Sequence, residues 1–332
     1  MKKIINSPDD LIREMLEGYL CANPELFEKV PNTNGLVLKG KKDKVTIITG
    51  GGAGNEPWNI GYVGHGLADG VALGHVYSAP PARAIVNVAK ATDPEKGVFF
   101  LATNHAGDVL NFELAAELLQ LEGIHAKCLF VTDDLASAPL DKFEERRGVA
   151  GVAIVLKIAG AAADIGLDLN EVLRVSEKAN DNIRTLSLTT SPGYLPGTGE
   201  PMFTMDDDMI EFGMGFNGEP GILKMKMTKA DEICDIMMGY LVEDLKLTAG
   251  EEIAVFVNGL GFTSLMELCI VNRRIKEVLT QKRIKTHDMF VNTLFAPQGT
   301  GGFSITLLRL DQELKRLYDA PAYSPFYWKK EI

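Results

Sequence analysis

Residues 44–66 read KVTIITGGGAGNEPWNIGYVGHG, and their first half sets the fold class. Residues 44–49 read as a buried strand, β-branched at every position from Val45 to Thr49. The strand runs into Gly50, Gly51 and Gly52, where the missing Cβ lets a backbone turn sharply or approach a neighbour. The same grammar recurs downstream. Residues 98–103 (VFFLAT) read as a strand that ends in Asn104, His105, Ala106, Gly107 and Asp108. Residues 126–131 read as a third strand, which ends in Asp133 and Asp134. Between them, residues 109–122 read as a helix with Leu110, Leu114, Leu118 and Leu121 on its apolar face. Strands alternating with helices predict an α/β protein, and three strands ending in glycine-rich or polar loops predict a ligand at that carboxyl edge.

The remaining chain extends this pattern. Residues 8–21 predict an amino-terminal helix, with Leu11, Met15, Leu16, Tyr19 and Leu20 on one face. Residues 148–163, small and apolar, predict a buried helix, and 170–182 predict another, leading into a strand at 183–190. Residues 191–220, rich in Gly, Pro and acids, predict a long irregular segment of the kind that often carries function. Strands are expected at 252–258 and 304–310, with a helix from about Ser264. A domain boundary is placed at 180, giving 1–180 and 181–332. The triplet Asn55-Glu56-Pro57 is echoed by Asn217-Gly218-Glu219-Pro220.

Composition narrows the function. Of 332 residues, 34 are Lys or Arg and 45 Asp or Glu, a formal charge of −11. That balance argues against direct binding to bare nucleic acid or an anionic membrane. No apolar run reaches the roughly 18 residues of a membrane span, and the amino-terminal stretch lacks the apolar core of a secretory signal. The four cysteines (Cys21, Cys128, Cys234 and Cys269) have no CxxC spacing. They predict reduced core thiols and a cytoplasmic protein. The five histidines show no metal-ligand spacing, so no metal site is expected. Asp206-Asp207-Asp208 reads as a solvated acidic turn, and Lys224, Lys226 and Lys229 as solvated surface.

Two local signals concern chemistry. The glycine turn is either a ligand cradle of backbone amides or a tight structural turn. A dinucleotide fingerprint would need glycine where Pro57 stands, and no phosphate-loop GxxxxGK[ST] is present. Asp108 either caps the helix that follows it or orients and deprotonates a hydroxyl. His105 is the one histidine at a strand end beside a carboxylate.

Six stretches carry a family resemblance: GGGAGNEPWNIGYVGHG (50–66), NHAGDVLNFELAAELL (104–119), ERRGVAGV (145–152), IEFGMGFNGEPGI (210–222), FVNGLGFTSLMEL (256–268) and GFSITLLRLD (302–311). In order and nearly over the whole chain, they resemble the dihydroxyacetone-binding subunits of phosphotransferase-dependent dihydroxyacetone kinases. The resemblance implies two α/β domains with a small-ketose pocket between them, a homodimer, and no cofactor bound directly. A nucleotide would sit on a separate kinase subunit. In the family one histidine captures the ketose carbonyl as a hemiaminal, while a second histidine and an aspartate handle the reacting hydroxyl. It implies substrate contacts at Gly51, Gly52, Asn55, Thr103, His105, Asp108 and Asn217, with Asp108 matching the aspartate.

The departures are as informative as the matches. The family pattern GGGSGHEP has histidine where this chain has Asn55, and alanine (Ala53) replaces its serine. The pattern GIHGEPG has the covalent histidine where this chain has Asn217. The family lysine and tyrosine near the aspartate are Thr103 and His105 here. An amide nitrogen has its lone pair delocalised, so Asn217 does not attack a carbonyl, and Asn55 does not accept a proton near neutral pH. The expectation is a ketose-binding protein without turnover, resembling the family's operon coactivator, which contacts a transcription regulator. The alternative is a kinase substrate subunit that uses Asp108 as its base, with or without help from His105.

Overall fold

The computed structural model describes residues 3–40, 43–215 and 218–330. Asn217 and its neighbour Phe216 lie outside the described residues. Along the chain run α1 (Leu11–Ala22), β1 (Phe27–Val30), β2 (Gly35–Leu38), β3 (Thr46–Ala53), β4 (Gly70–Val76), α2 (Ala82–Ala91), β5 (Val98–Thr103), α3 (Ala106–Leu121) and β6 (Ala126–Val131). Then come α4 (Val152–Asp164), α5 (Leu169–Asp181), β7 (Ile183–Ser191), β8 (Met209–Phe212), β9 (Leu223–Lys226) and α6 (Ala230–Asp244). Last are β10 (Glu252–Gly259), α7 (Leu265–Gln281), β11 (Lys285–Asn292), β12 (Gly301–Leu310), α8 (Gln312–Asp319), β13 (Ala322–Tyr323) and β14 (Trp328–Lys329).

The fold is mixed α/β with two six-stranded sheets, and it divides into two compact units that are not the two continuous halves expected. One unit comprises Ile4–Val131, Val152–Asn180 and Glu313–Ile332; the other comprises Met1–Lys3, Thr132–Gly151 and Asp181–Gln312. By this division the chain passes between the units after residues 3, 131, 151, 180 and 312. Local pattern cannot show this, because a crossing is an ordinary loop in sequence.

In the first unit the sheet order is β1-β2-β4-β3-β5-β6, with β4, β3, β5 and β6 parallel. From β3 the chain goes to β4 on one side and later to β5 on the other. The carboxyl end of β3 is therefore a topological switch point, where open α/β sheets hold ligands. The glycines do not form a free turn: β3 runs through Gly52 to Ala53. Helices α2 and α3 pack through Ile85, Val88, Phe112, Ala115 and Leu119 against Ile48, Ala72 and Phe100. This corrects the leucine face expected for α3. Leu110, Leu114 and Leu121 are exposed, and the buried face is the one bearing Asp108, Phe112, Ala115, Ala116 and Leu119.

Helix α4 is apolar all round, and residues 152–163 are all buried, as expected. At Gly160 an added Cβ would lie 2.5 Å from the Gly66 carbonyl oxygen and 2.6 Å from Leu67 Cα, so only glycine allows this approach. Lys157 reaches out of α4 to donate to the Leu317 carbonyl in α8 at 2.8 Å, and burial lowers its pKa to about 7.

In the second unit the order is β11-β10-β12-β7-β8-β9, antiparallel except for β10 beside β11. Helices α6 and α7 cover one face through Ile233, Met237, Leu241, Leu268 and Ile275. Ser264 caps α7, with Glu267 completing a capping box. The segment expected to be irregular, 191–220, contains β8. The acidic turn pairs with lysines: Asp208 lies 2.8 Å from Lys226. Of the thiols, only Cys234 is buried; Cys21 and Cys269 are exposed, which corrects the expectation of core cysteines. Among the described residues no helix is long and apolar enough to cross a membrane.

Replacing Gly160 with Ala is expected to lower stability despite alanine's better helix propensity. The gain is about 1 kcal/mol, while forcing a methyl group against fixed backbone costs about 1–3 kcal/mol. A urea midpoint moved upward would show that α4 can shift away.

Candidate functional site

The site is assembled at the carboxyl ends of β3 and β5. Three bare glycines let backbone pack on backbone there. An added Cβ would lie 2.3 Å from the Ala72 oxygen at Gly50 and 2.7 Å from the Ser78 nitrogen at Gly52. Gly51 faces the other way. Its φ is +154°, and its missing Cβ would stand 3.4 Å from Asn59 Nδ2 and 3.7 Å from each Asp108 carboxyl oxygen. The structure thus brings Gly51 and Asp108 together, and adds Asn59, which sequence reasoning did not single out.

Asp108 is not the helix cap. His105 occupies the cap position with extended backbone (φ −125°, ψ 140°), without a capping bond from its side chain. Asp108 lies in the first turn of α3, where the helix dipole favours a negative charge. Its Oδ2 accepts a hydrogen bond from Thr103 Oγ1 at 3.0 Å. Its Oδ1 is buried without a partner. Burial raises its pKa to about 7, against a smaller opposing pull from the Thr103 hydroxyl. A carboxyl that titrates near neutrality can hold or release a proton at working pH. His105 is half-buried beside it.

Asn55 is half-buried, and its Oδ1 lacks a partner. The next residue, Glu56, folds its carboxylate back to accept from Gly54 N at 2.9 and 3.1 Å, and burial raises its pKa. The Glu56–Pro57 peptide is cis. The echoing turn is built differently. Gly215 N donates to the Glu219 carbonyl at 3.0 Å, and the Glu219 carboxylate faces Arg147 at 3.6 Å.

The loop carrying Asn55 and Asn59 is held from far along the chain. Ser324 Oγ donates to the Gly61 carbonyl at 2.5 Å, and His65 and Tyr323 exchange both backbone hydrogen bonds, at 3.0 and 2.9 Å. Tyr62 packs between Trp58 and Tyr327, with ring centroids 5.3 and 5.8 Å away.

Asp133 and Asp134, expected at the ligand edge, serve structure instead. Asp133 accepts from Val149 N and Gly151 N at 2.7 Å each, and Asp134 pairs with Arg147 at 3.0 Å. The ERRG stretch is likewise structural: Arg146 grips Asp244 at 2.8 and 2.6 Å. Two cavities, about 210 and 440 Å³, lie at the opposite, amino edge of the first sheet, near Thr46 and Ala126. Neither includes a candidate site residue.

Asp108 gives a stability test. Its folded pKa lies above the usual carboxylate value, so the native state binds the extra proton, and stability falls as pH rises from about 4 to 7. Asp108→Asn keeps an acceptor for Thr103 and removes this dependence. The variant is expected to melt above the wild type at pH 8, by an amount corresponding to at most about 4 kcal/mol. The gap should close near pH 4. A gap that stays constant with pH would mean that Asp108 keeps an ordinary pKa.

Comparison with known proteins agrees with this architecture. The Dak1 domain model matches residues 17–326. A PTS-dependent dihydroxyacetone kinase 2, dihydroxyacetone-binding subunit DhaK from Listeria innocua is 40% identical over 98% of this chain and 99% of its own. An L-erythrulose kinase from Pectobacterium atrosepticum is 38% identical over 99% of this chain, which spans 56% of that longer protein. Among solved structures, the dihydroxyacetone kinase operon co-activator Dha-DhaQ superposes with a TM-score of 0.87 at 29% identity, covering 93% of this chain and 96% of its own. The dihydroxyacetone kinase of C. freundii gives 0.89 at 28% identity, covering 99% of this chain and 60% of its own. A family match over nearly the whole chain, with a 40% identical relative of the same length, places this chain in the Dak1 domain family.

Proposed function

We propose that this protein holds a short ketose of the dihydroxyacetone or erythrulose type by hydrogen bonds alone, and that it acts as a ligand sensor that coactivates a transcription regulator. The observation that carries this reading is Asn55, an amide in the glycine turn where the family pattern has histidine. The amide keeps hydrogen-bonding capacity and lacks the basicity that turnover needs. Asn217 adds the same loss at the covalent position. Sensing needs only that ligand binding favours one of two states. In this reading the protein is a cytoplasmic homodimer that binds neither nucleotide nor nucleic acid itself.

A second reading has support of its own. Asp108 has a free Oδ1 and a pKa of about 7, and the 40% identical relative is a kinase subunit. Here Asp108 takes the proton of a ketose hydroxyl as that oxygen attacks the terminal phosphorus of a nucleoside triphosphate on the nucleotide-bearing subunit, and the bond to the bridging oxygen breaks to leave the nucleoside diphosphate on that subunit. Thr103 holds the carboxyl in place through its hydrogen bond to Oδ2.

A phosphoryl-transfer assay separates the two. The protein is mixed with a nucleotide-bearing subunit from its own source, that subunit's phosphodonor chain, and a panel of short ketoses. No turnover is expected, while the same partner phosphorylates dihydroxyacetone on a histidine-bearing subunit. Turnover abolished by Asp108→Asn would establish the second reading. Native mass spectrometry tests the mode of binding. The wild type is expected to form no covalent adduct with dihydroxyacetone, and the Asn55→His, Asn217→His double variant is expected to form one.

A further inference from the structure

Asn59 is a buried amide with nothing to bind. It is 1% exposed, and both Nδ2 and Oδ1 lack hydrogen-bond partners. Its backbone is committed, since its carbonyl accepts from Tyr62 N at 3.0 Å at the start of a 3-10 turn (Ile60–Tyr62). The side chain is therefore held in place on a loop that Ser324 and Tyr323 pin down. An unpaired buried amide is destabilising, and an apolar residue of similar volume would avoid the cost. A buried polar group without a partner calls for an explanation, and a ligand that completes it is one.

The surroundings indicate which ligand atom does so. Asn59 Nδ2 and both Asp108 carboxyl oxygens lie within 3.4–3.7 Å of the same point, the missing Cβ of Gly51. Three groups converge there: the bare Gly51 backbone, the Asn59 donor, and the Asp108 acceptor whose Oδ1 has no partner. A hydroxyl group is the small function that accepts one hydrogen bond and donates another.

We propose that Asn59 and Asp108 hold a single ligand hydroxyl between them. Asn59 Nδ2 donates to the hydroxyl oxygen, and the hydroxyl donates to Asp108 Oδ1. Asn59 is then a specificity-determining residue that selects a hydroxylated carbon and fixes the direction of its proton. This inference rests on the ketose reading above and goes further by assigning one ligand group to one pair of residues.

Calorimetric titration with dihydroxyacetone tests it on the wild type, Asn59→Leu, Asp108→Asn and the double variant. Asn59→Leu is expected to bind about tenfold more weakly or worse, with a melting temperature equal to or above that of the wild type. Because the two residues share one hydroxyl, the double variant is expected to bind about as weakly as the weaker single variant. A folded Asn59→Leu with wild-type affinity would overturn the pairing, as would two losses that multiply in full. Should Asn59→Leu fail to fold, Asn59→Ser gives the same comparison, with the same affinity loss expected. A wild type that binds neither dihydroxyacetone nor erythrulose overturns the ketose reading itself, a result distinct from normal binding unaffected at Asn59.

Discussion

Everything at the site depends on backbone lying against backbone at the end of β3. Gly50 is pressed on the Ala72 carbonyl, Gly52 on Tyr77 and Ser78, and Gly74 on the Ser78 carbonyl, at distances where no Cβ fits. Interiors are packed too tightly for such contacts to relax around added atoms. The absence of side chains moves the strand end, the 77–80 segment and the first turn of α3 together. It leaves the Gly51 backbone facing Asn59 and Asp108. The switch in strand order puts these groups at the carboxyl edge of the sheet, and the glycines supply the close approach.

That arrangement is costly to maintain. Asp108 is buried against its preference for water, and the amides of Asn55 and Asn59 leave polar atoms without partners. Each such group removes stability that an apolar residue would keep. The surrounding core tolerates it because Phe100, Phe112, Leu119 and their neighbours are fully buried. Sites that keep strain or unmet polarity for function trade stability in this way. In the second unit the buried charges Asp133, Asp134, Arg146 and Arg184 are each met by hydrogen bonds.

The strands with unbroken apolar runs were legible in the sequence: β3, β5, β6, β7, β10 and β12 all lie where periodicity places them. The strands β1, β2, β4, β8, β9 and β11 were not: β1, β2, β8 and β9 are only four residues long, too short to carry a usable period, and β4 and β11 mix glycine or charged residues into their runs. Helix α3 misled in an instructive way. Its leucines mark a stripe, but burial follows the face that carries Asp108 and Phe112, because the sheet and the glycine edge lie there. At the site, Gly51 and Asp108 could be found from their place after strands. Asn59 could not, since a lone asparagine after a tryptophan has no pattern, and only its burial in three dimensions marks it. The ligand edge was misassigned at Asp133 and Asp134, whose carboxylates were needed to satisfy backbone amides nearby.

The hydrogen bond from Ser324 to Gly61 spans 263 residues of sequence. Domains fold largely as they emerge from the ribosome, amino-terminal parts first. Here the loop that carries Asn55 and Asn59 is made early and anchored late, once synthesis has passed residue 324. Until then the glycine edge exists without the clamp that fixes its polar groups. A nascent chain released before that point would present the sheet but not the anchored loop, so the geometry around Asn59 reports that the chain has been made through Ser324.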